Sequence, residues 1–424
     1  MPKVGPKISE DVSRAIGNLV WLGCERVTQI VVAIVISGML ARYFGPDVFG
    51  KWQYANTLLL VLVPVTWVCG NEILVPTIVH EPPEHLGTIL GSAFALRFGI
   101  SLAMMLLTWV VLGAGAHTHH IDTTVAAMLA GLAMTMLFRE PFGVIGSWLQ
   151  SRTHSKPALL AAIAAAVAKM ALVALLVRMA IDAAYFGWLW ALEAAAVAAA
   201  LLAYYARRHG GRLGWHVDAA RFRAFVSSGS IFWIGLIGMY LFLKLDRLML
   251  ERVVSYADLG RYSAAQQLNE NWITLALMLS QTLGPAFVYR VHDKAKLLRN
   301  MVRLLVMTAA LMTGGAIVLD AIGSVVIRLV FGPGFEGAID IFRWAVWLSL
   351  PAGIEAIANL VVLKYQARYV LLVKWLLALA AAFVVNLVAI PRFGGHGALM
   401  GLAAGYLVAI AVDLYYMRLR LTRS

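Results

Sequence analysis

Long apolar runs constrain this chain more than any other feature of its sequence. About twelve of them reach the roughly 20 residues that a helix needs to cross about 30 Å of hydrocarbon. Membrane-barrel strands would need only short alternating segments, so these runs predict helices. The predicted spans are residues 15–41, 54–78, 87–114, 121–145, 157–180, 184–205, 224–249, 259–288, 300–330, 338–363, 367–390 and 397–417.

Composition agrees with a membrane location. Of 424 residues, 61% are apolar and 13% are charged, and the mean hydropathy is +0.80, whereas soluble domains are about half apolar. The two cysteines, Cys24 and Cys69, lie in apolar runs, which argues against a disulfide framework or a metal cluster. We therefore predict an all-α, polytopic membrane protein.

A short motif recurs about half a chain later. A shift of 210 positions aligns FGKWQYA at 49–55 with LGRYSAA at 259–265. Each copy places a glycine, a basic residue and an aromatic residue where one helix ends and the next begins. The alternative is a chance match in a biased sequence.

Such a duplication predicts two structurally equivalent halves, a common plan for transporters. We expect a six-helix bundle over 1–206, a basic cytoplasmic linker over 207–223 and a second six-helix bundle over 224–424. The two bundles would be pseudo-symmetric about a central cavity.

Basic residues orient the spans. A cytoplasmic N-terminus places about twenty-two lysines and arginines on the inside, including Lys364, Arg368 and Lys374, and about nine outside. This imbalance predicts that both termini are cytoplasmic. The net charge of +13 reflects the same bias and attraction to anionic lipid headgroups, so no nucleic-acid partner is implied.

Catalytic machinery is not evident in the sequence. No loop is long enough for a folded domain, and no nucleotide-binding Gly-Lys motif occurs. His80 and His85 are separated by two prolines that break the helix a zinc protease would need. The histidines of segment 117–120 are interpreted as a solvated loop rather than a metal site or pH sensor. We predict no enzyme, cofactor or metal.

Ionisable residues inside the spans are the informative positions, because a charge at membrane depth is costly and usually faces a cavity or a partner. In the seventh span, Trp233, Ile237, Tyr240, Lys244 and Arg247 recur at intervals of four and three and share one face. We expect this face to line a polar interior.

The eighth span repeats this pattern with Gln266, Glu270 and Thr274, and the first carries Glu25 with Arg26 beside it. One alternative is that such charges pair and lock helices together, as Asp246 would with a neighbouring cation. Another is that cations near helix ends reach towards the headgroups. Further charges interrupt apolar runs at Arg97, Lys169, Glu193, Arg343, Glu355 and Asp413.

Four motifs, taken in order, resemble the bacterial polysaccharide transporters, the Wzx-like oligosaccharide flippase branch of the multidrug/oligosaccharidyl-lipid/polysaccharide exporter superfamily. They are FGPDVFG at 44–50, LDR at 245–247 with the LGRYSAA motif, FGPGF at 331–335 and PRFGGHGA at 391–398. The resemblance spans nearly the whole chain.

The resemblance implies a flippase of the bacterial inner membrane. It would move undecaprenyl-diphosphate-linked oligosaccharides from the cytoplasmic to the periplasmic leaflet by alternating access, for O-antigen, capsule or exopolysaccharide synthesis, with a polysaccharide polymerase as a partner beside membrane lipids. A proton or sodium gradient, the membrane potential or product consumption would drive it, with Glu25, Asp246 and Glu270 as coupling candidates. Related lipid II flippases carry an arginine where this chain has Gln266, which weakens transfer of that site.

A diphosphate suits arginine, whose planar fork holds phosphate by paired, charge-assisted hydrogen bonds. Arg26 is the strongest candidate. The predicted substrate-binding residues are Arg26, Arg97, Lys169, Lys244, Arg247, Arg261, Gln266 and Arg343.

Two other functions stay open. A multidrug antiporter of the same superfamily would prefer acidic residues around its cationic substrates. A membrane-embedded glycan polymerase or ligase would need a large external loop with catalytic groups.

The orientation is tested with reporter fusions. A reporter placed after Arg212 should behave as cytoplasmic, and one placed in the loop at His117 as periplasmic, because the basic residues favour that arrangement. The reverse pattern would overturn the orientation and the direction of transport.

Overall fold

The computed structural model describes residues 7–117, 121–152, 154, 156–211 and 213–422, with side chains from Thr28 onward except at positions 116, 117, 228 and 422. These residues are helical and include no strand, which confirms the all-α prediction. The helices are α1 (Lys7–Leu62), α2 (Asn71–His80), α3 (Leu86–His117), α4 (Thr123–Ala133), α5 (Thr135–Ser151), α6 (Lys156–Arg178), α7 (Phe186–Arg208), α8 (Ala219–Leu250), α9 (Tyr256–Gly284), α10 (Lys294–Val330), α11 (Gly337–Ala345), α12 (Ser349–Lys364), α13 (Arg368–Phe393) and α14 (Gly395–Thr422).

Ten helical segments of the described residues are long and apolar enough to cross a bilayer, or eleven when α8, which bends by 53°, counts as one span. One segment, Thr28–His80, contains two predicted spans, because it continues through Gly45. Gly45 has φ 68°, outside the helical region. The chain is therefore a multi-pass membrane protein. The boundaries of the two bundles remain a prediction.

The predicted span 54–78 is not one continuous helix. Helix α1 ends at Leu62, a 3-10 turn covers Val63–Thr66, and α2 begins only at Asn71. Pro64 opens this turn and has no N–H to continue the α-helical hydrogen bonds. Cys69 then adopts a φ of 59°, which is uncommon for a residue with a side chain. The break places an irregular segment in the middle of the span.

The two repeated glycines lie against each other. A Cβ atom built on Gly50 of α1 would collide with the carbonyl oxygen of Tyr256, and one built on Gly260 of α9 would collide with that of Pro46. The Cβ on Gly260 would also lie 3.0 Å from the Gly50 nitrogen. Backbone can approach backbone this closely only where side chains are absent. The duplicated motif is thus the contact between its own two copies.

Other motif residues surround this contact. The Phe49 ring packs against Phe331 and Phe335, with centroids 6.0 and 5.4 Å apart. The Arg42 guanidinium donates hydrogen bonds to the carbonyl oxygens of Leu329 and, at 3.2 Å, of Val330, at the end of α10. Motifs that lie hundreds of residues apart in the sequence therefore meet at one end of the protein.

Substitution tests the glycine contact. Gly260→Ala should destabilise the protein by about 1–3 kcal/mol, because the added methyl group has no space. Gly99→Ala in α3 is the matched control, since nothing lies within 4 Å of its Cβ position; a small stabilisation of about 0.4–1 kcal/mol is expected there. Thermal midpoints in detergent measure both, and equal midpoints for the two variants would contradict the packing.

Candidate functional site

Helices α8 and α9 bring together five of the predicted site residues. The Glu270 carboxylate lies 2.8 Å from the Lys244 ammonium and 3.0 Å from the Arg247 guanidinium. The two cations are only 7% and 5% exposed, whereas the Glu270 side chain keeps 41% of its surface exposed. Each cation therefore has a carboxylate partner, as the charge-pair alternative anticipated.

The other two members form a buried polar ladder. Asp246, 1% exposed, accepts a hydrogen bond from the Tyr262 hydroxyl at 2.6 Å. Gln266 donates to the same hydroxyl at 3.2 Å and accepts from Asn269. The second carboxylate oxygen of Asp246 has no hydrogen-bond partner among the described residues. With two cations and two carboxylates, the cluster is close to neutral.

The structure places Lys169 and Arg343 elsewhere. Lys169 pairs with Glu193 at 2.7 Å between α6 and α7, and its ammonium lies 4.7 Å from the centre of the Trp190 ring. Arg343 on α11 is 60% exposed and 3.8 Å from Asp320. Both are far in the fold from the α8–α9 cluster, and their binding role remains a prediction.

Arg261 lies beside the glycine contact. Its guanidinium pairs with Asp258 at 2.8 Å and donates to the Gly334 carbonyl at 3.4 Å. Glu25 and Arg26 belong to α1, but their side chains lie outside those described, as does the histidine cluster at 117–120. The roles proposed for these residues stay predictions.

A cavity of about 430 Å³ separates the first half of the chain from α8 and α9. Of the predicted substrate-binding residues whose side chains are described, only Arg97 lines it. Trp233 and Tyr240, expected on one face of the seventh span, line it too. The cavity-lining residues are Trp67, Cys69, Gly70, Asn71, Glu72, Ile73, Arg97, Glu140, Gly229, Phe232, Trp233, Leu236, Met239, Tyr240 and Gln281.

Arg97 is 3% exposed and holds the cavity wall together. Its guanidinium donates to the carbonyl oxygen of Cys69, in the break between α1 and α2, and at 3.2 Å to that of Glu140 in α5. The Arg97 Nε has no hydrogen-bond partner among the described residues. One guanidinium thus fixes three elements and retains a donor.

Sequence reasoning missed the polar residues that share this cavity with Arg97. Glu72 and Glu140 bring two carboxylates, and Asn71 and Gln281 bring amides. Glu72 and Glu140 interrupt predicted spans, so a charge inside an apolar run was the available signal. The expected purely basic surface is therefore wrong for this cavity, whose described charges are of both signs.

A second buried charge cluster joins α12, α13 and α14. The Lys374 ammonium lies 2.7 Å from Glu355 and 3.1 Å from Asp413, and it donates to the Asn359 side chain at 2.8 Å. Lys374 has 0% exposure, so counting it among the cytoplasmic surface cations was wrong. Its carboxylate partners are distant in sequence, and only the helix packing reveals them.

The linker region is fastened to the first half of the chain. The Arg221 guanidinium holds the Glu81 carboxylate with two hydrogen bonds, one of 2.7 Å, and lowers the pKa of that carboxyl below its usual range. Because the folded-state pKa is lowered, this contact stabilises the fold above the unfolded pKa and is lost as pH falls through the folded value. Nearby, the His216 amide donates to the Gly87 carbonyl at 3.2 Å.

Long helices around an internal cavity, with charges buried at membrane depth, define a polytopic transporter fold. Its relatives among solved structures agree. The lipid II flippase MurJ in an inward closed conformation has a TM-score of 0.73 and 12% identity, over 94% of this chain and 87% of that one. An inward-facing multidrug resistance MATE family transporter of the MOP superfamily has 0.75 and 11%, over 93% and 94%. The Vibrio cholerae MATE transporter VcmN has 0.68 and 12%, over 97% and 98%.

The family follows from sequence. The family described as "Polysaccharide biosynthesis protein" matches residues 16–290, well over half of the chain, and the chain belongs to it, as its motifs indicated. A search of curated proteins finds no match. Family and fold are those of membrane transporters rather than enzymes.

The Lys374 cluster yields a stability prediction. Lys374→Met should destabilise the protein by about 3–5 kcal/mol, because it leaves two buried carboxylates without their cation. Adding Asp413→Asn should recover part of the loss. The exposed Lys156 supplies the control Lys156→Met, expected within about 0.5 kcal/mol of the parent. Equal thermal midpoints for Lys374→Met and the control would refute a structural charge cluster.

Proposed function

We propose that the protein is a flippase for undecaprenyl-diphosphate-linked oligosaccharides in the bacterial inner membrane, acting in surface polysaccharide synthesis of the O-antigen, capsule or exopolysaccharide type. The observation that carries the proposal is the polar cavity that holds the Arg97 guanidinium. Membership of the polysaccharide biosynthesis family supports this substrate class.

The cavity chemistry suits such a head group. At about 430 Å³ it falls in the usual range of ligand pockets. An arginine has five N–H donors, and those of Arg97 that are not bound to carbonyl oxygens are suited to an anionic diphosphate. Carboxylate oxygens of Glu72 and Glu140 accept hydrogen bonds from sugar hydroxyls, and the Asn71 and Gln281 amides both donate and accept.

The direction of transport follows from the orientation predicted above. With a cytoplasmic N-terminus, the Gly50–Gly260 contact closes the periplasmic end, whereas the cavity lies towards the cytoplasmic ends of α2 and α8. A head group would therefore load from the cytoplasm and leave after the two halves rock open on the other side.

Coupling is assigned to buried carboxylates. Asp246 and Glu270 belong to the α8–α9 cluster, and Glu25 is the third candidate; a proton or sodium ion bound there would change the balance of the cluster. A polysaccharide polymerase that consumes the product would pull transport in the same direction.

A multidrug antiporter is the second candidate function. The acidic pair Glu72 and Glu140 favours it, because organic cations prefer carboxylates. No such observation supports a glycan polymerase or ligase: within the described residues, connections between helices are short and carry no domain.

A leaflet assay in proteoliposomes separates the candidates. Arg97→Ala should slow flipping of an undecaprenyl-diphosphate-linked oligosaccharide by roughly 10-fold to 150-fold, the loss of one charge-assisted hydrogen bond of about 1.5–3 kcal/mol. Arg97→Lys should retain part of the activity, because the charge survives without the fork. The control Arg207→Ala, at the exposed end of α7, should flip normally.

All variants are compared as equal amounts of folded protein, because Arg97 also fixes the wall. Parent protein that exchanges organic cations but never flips the lipid-linked glycan would replace this proposal with the antiporter.

A further inference from the structure

A seam runs along the protein between the first half of the chain and α8. On one side lie the second part of α1, the irregular segment 63–70 and α2. The Trp233 indole donates to the Pro64 carbonyl at 2.8 Å, and the Trp67 ring meets the Tyr240 ring edge to face, with centroids 4.9 Å apart. These contacts close the seam near its middle and leave a pocket at each end.

The inner pocket, of about 330 Å³, adjoins the polar cavity. Ile73 and Phe232 line both spaces, and Leu371 of α13 adds an apolar wall to the pocket. A single amphiphile can therefore place its polar head in the cavity and the first part of its apolar chain in this pocket.

The outer pocket, of about 340 Å³, lies beyond the Trp67–Tyr240 contact. Its walls are apolar, with Leu58 of α1, Leu107 of α3 and Leu248 of α8, and its rim carries Asp122 and Glu251. This pocket has the same character as the inner one: apolar walls with polar groups at one end. It suits the same chain once the head group has crossed.

The segment between the pockets is built to change shape. It lacks regular helix from Trp67 to Gly70, and Cys69 has the sparsely populated φ of 59°. Such backbone occurs where the surrounding structure holds it in place, often at switch segments. Here Arg97 holds it through the Cys69 carbonyl, so a ligand that engages Arg97 acts directly on the segment that carries Trp67.

The opposite seam, between α1 and α9, offers no comparable path. Gly50 and Gly260 bring the backbones into contact, and the Gln267 side chain accepts hydrogen bonds from Ser37 at 2.6 Å and from Gln53 at 3.0 Å. A tight, polar seam excludes an apolar chain.

We propose that the seam between α1–α2 and α8 is the path of the substrate's isoprenoid chain, which occupies the inner pocket before translocation and the outer pocket after it. The Trp67–Tyr240 contact is the gate between them. This inference rests on the proposed function and adds where the lipid part of the substrate travels.

A photoactivatable probe tests the path directly. The probe is undecaprenyl diphosphate bearing one N-acetylglucosamine, with a diazirine on its isoprenoid chain, bound to the full-length parent protein. The expected adducts lie on residues of α2, α8 and the segment 63–70. Adducts confined to the α1–α9 seam or to outer helices such as α6 would overturn the proposal.

Substitutions that fill the pockets give the functional test. Ile73→Trp and Leu107→Trp should each slow flipping of the same glycolipid at least tenfold, while an analogue with a chain of two isoprene units should flip at the parent rate. The control is Leu160→Trp on α6, where the leucine is 62% exposed and away from the seam.

Equal slowing of both chain lengths, or full activity of both pocket variants with folded protein confirmed by thermal midpoint, would refute the path. Those outcomes would leave the flippase proposal intact, whereas parent protein that flips no glycolipid would remove the proposed function itself.

Discussion

The backbone contact between Gly50 and Gly260 is the constraint on which the rest of this structure depends. Both glycines come from the same motif, repeated 210 residues apart, and each lies where a Cβ atom would strike the other helix. Because backbones meet there, the phenylalanines of the FGPDVFG and FGPGF motifs pack around them, and this end of the protein is closed. The polar cavity is therefore left on the other side of the contact, next to the irregular segment 63–70.

Charges at membrane depth follow two different patterns in this fold. At the α8–α9 cluster and around Lys374, cations and carboxylates satisfy one another inside the helix packing. Arg97 differs, because its described hydrogen bonds go to main-chain carbonyl oxygens while it lines a cavity with Glu72 and Glu140. Buried pairs contribute little net stability compared with apolar packing. The position of Arg97 is therefore more informative about ligand binding than the number of buried charges.

The sequence predicted the architecture more fully than the site. Hydropathy alone located the membrane helices, because the bilayer demands about 20 apolar residues for each span, and the 210-residue repeat identified the glycines that later proved to touch. Helical periodicity placed Trp233 and Tyr240 on one face, and both line the cavity. The break at 63–70 escaped prediction because its apolar residues suit a helix and a 3-10 turn equally.

Lys374 shows why the buried partners were missed. It lies one to two turns inside α13, where its position in the sequence resembles that of a cation at the membrane surface. Its partners Glu355 and Asp413 come from two other helices, so their contact depends on tertiary packing that no local pattern records. The same limit applies to Arg97, whose hydrogen bonds reach Cys69 and Glu140.

Distances between spin labels on both sides of the Gly50–Gly260 contact test alternating access most directly. One pair, at the exposed positions Asp47 and Val253, reports on the closed end; a second pair, at Glu84 and Tyr369, reports on the cavity side. When undecaprenyl-diphosphate-linked oligosaccharide is added under transport conditions, the first distance should lengthen and the second should shorten. Flipping that proceeds while the first distance stays fixed would contradict the account.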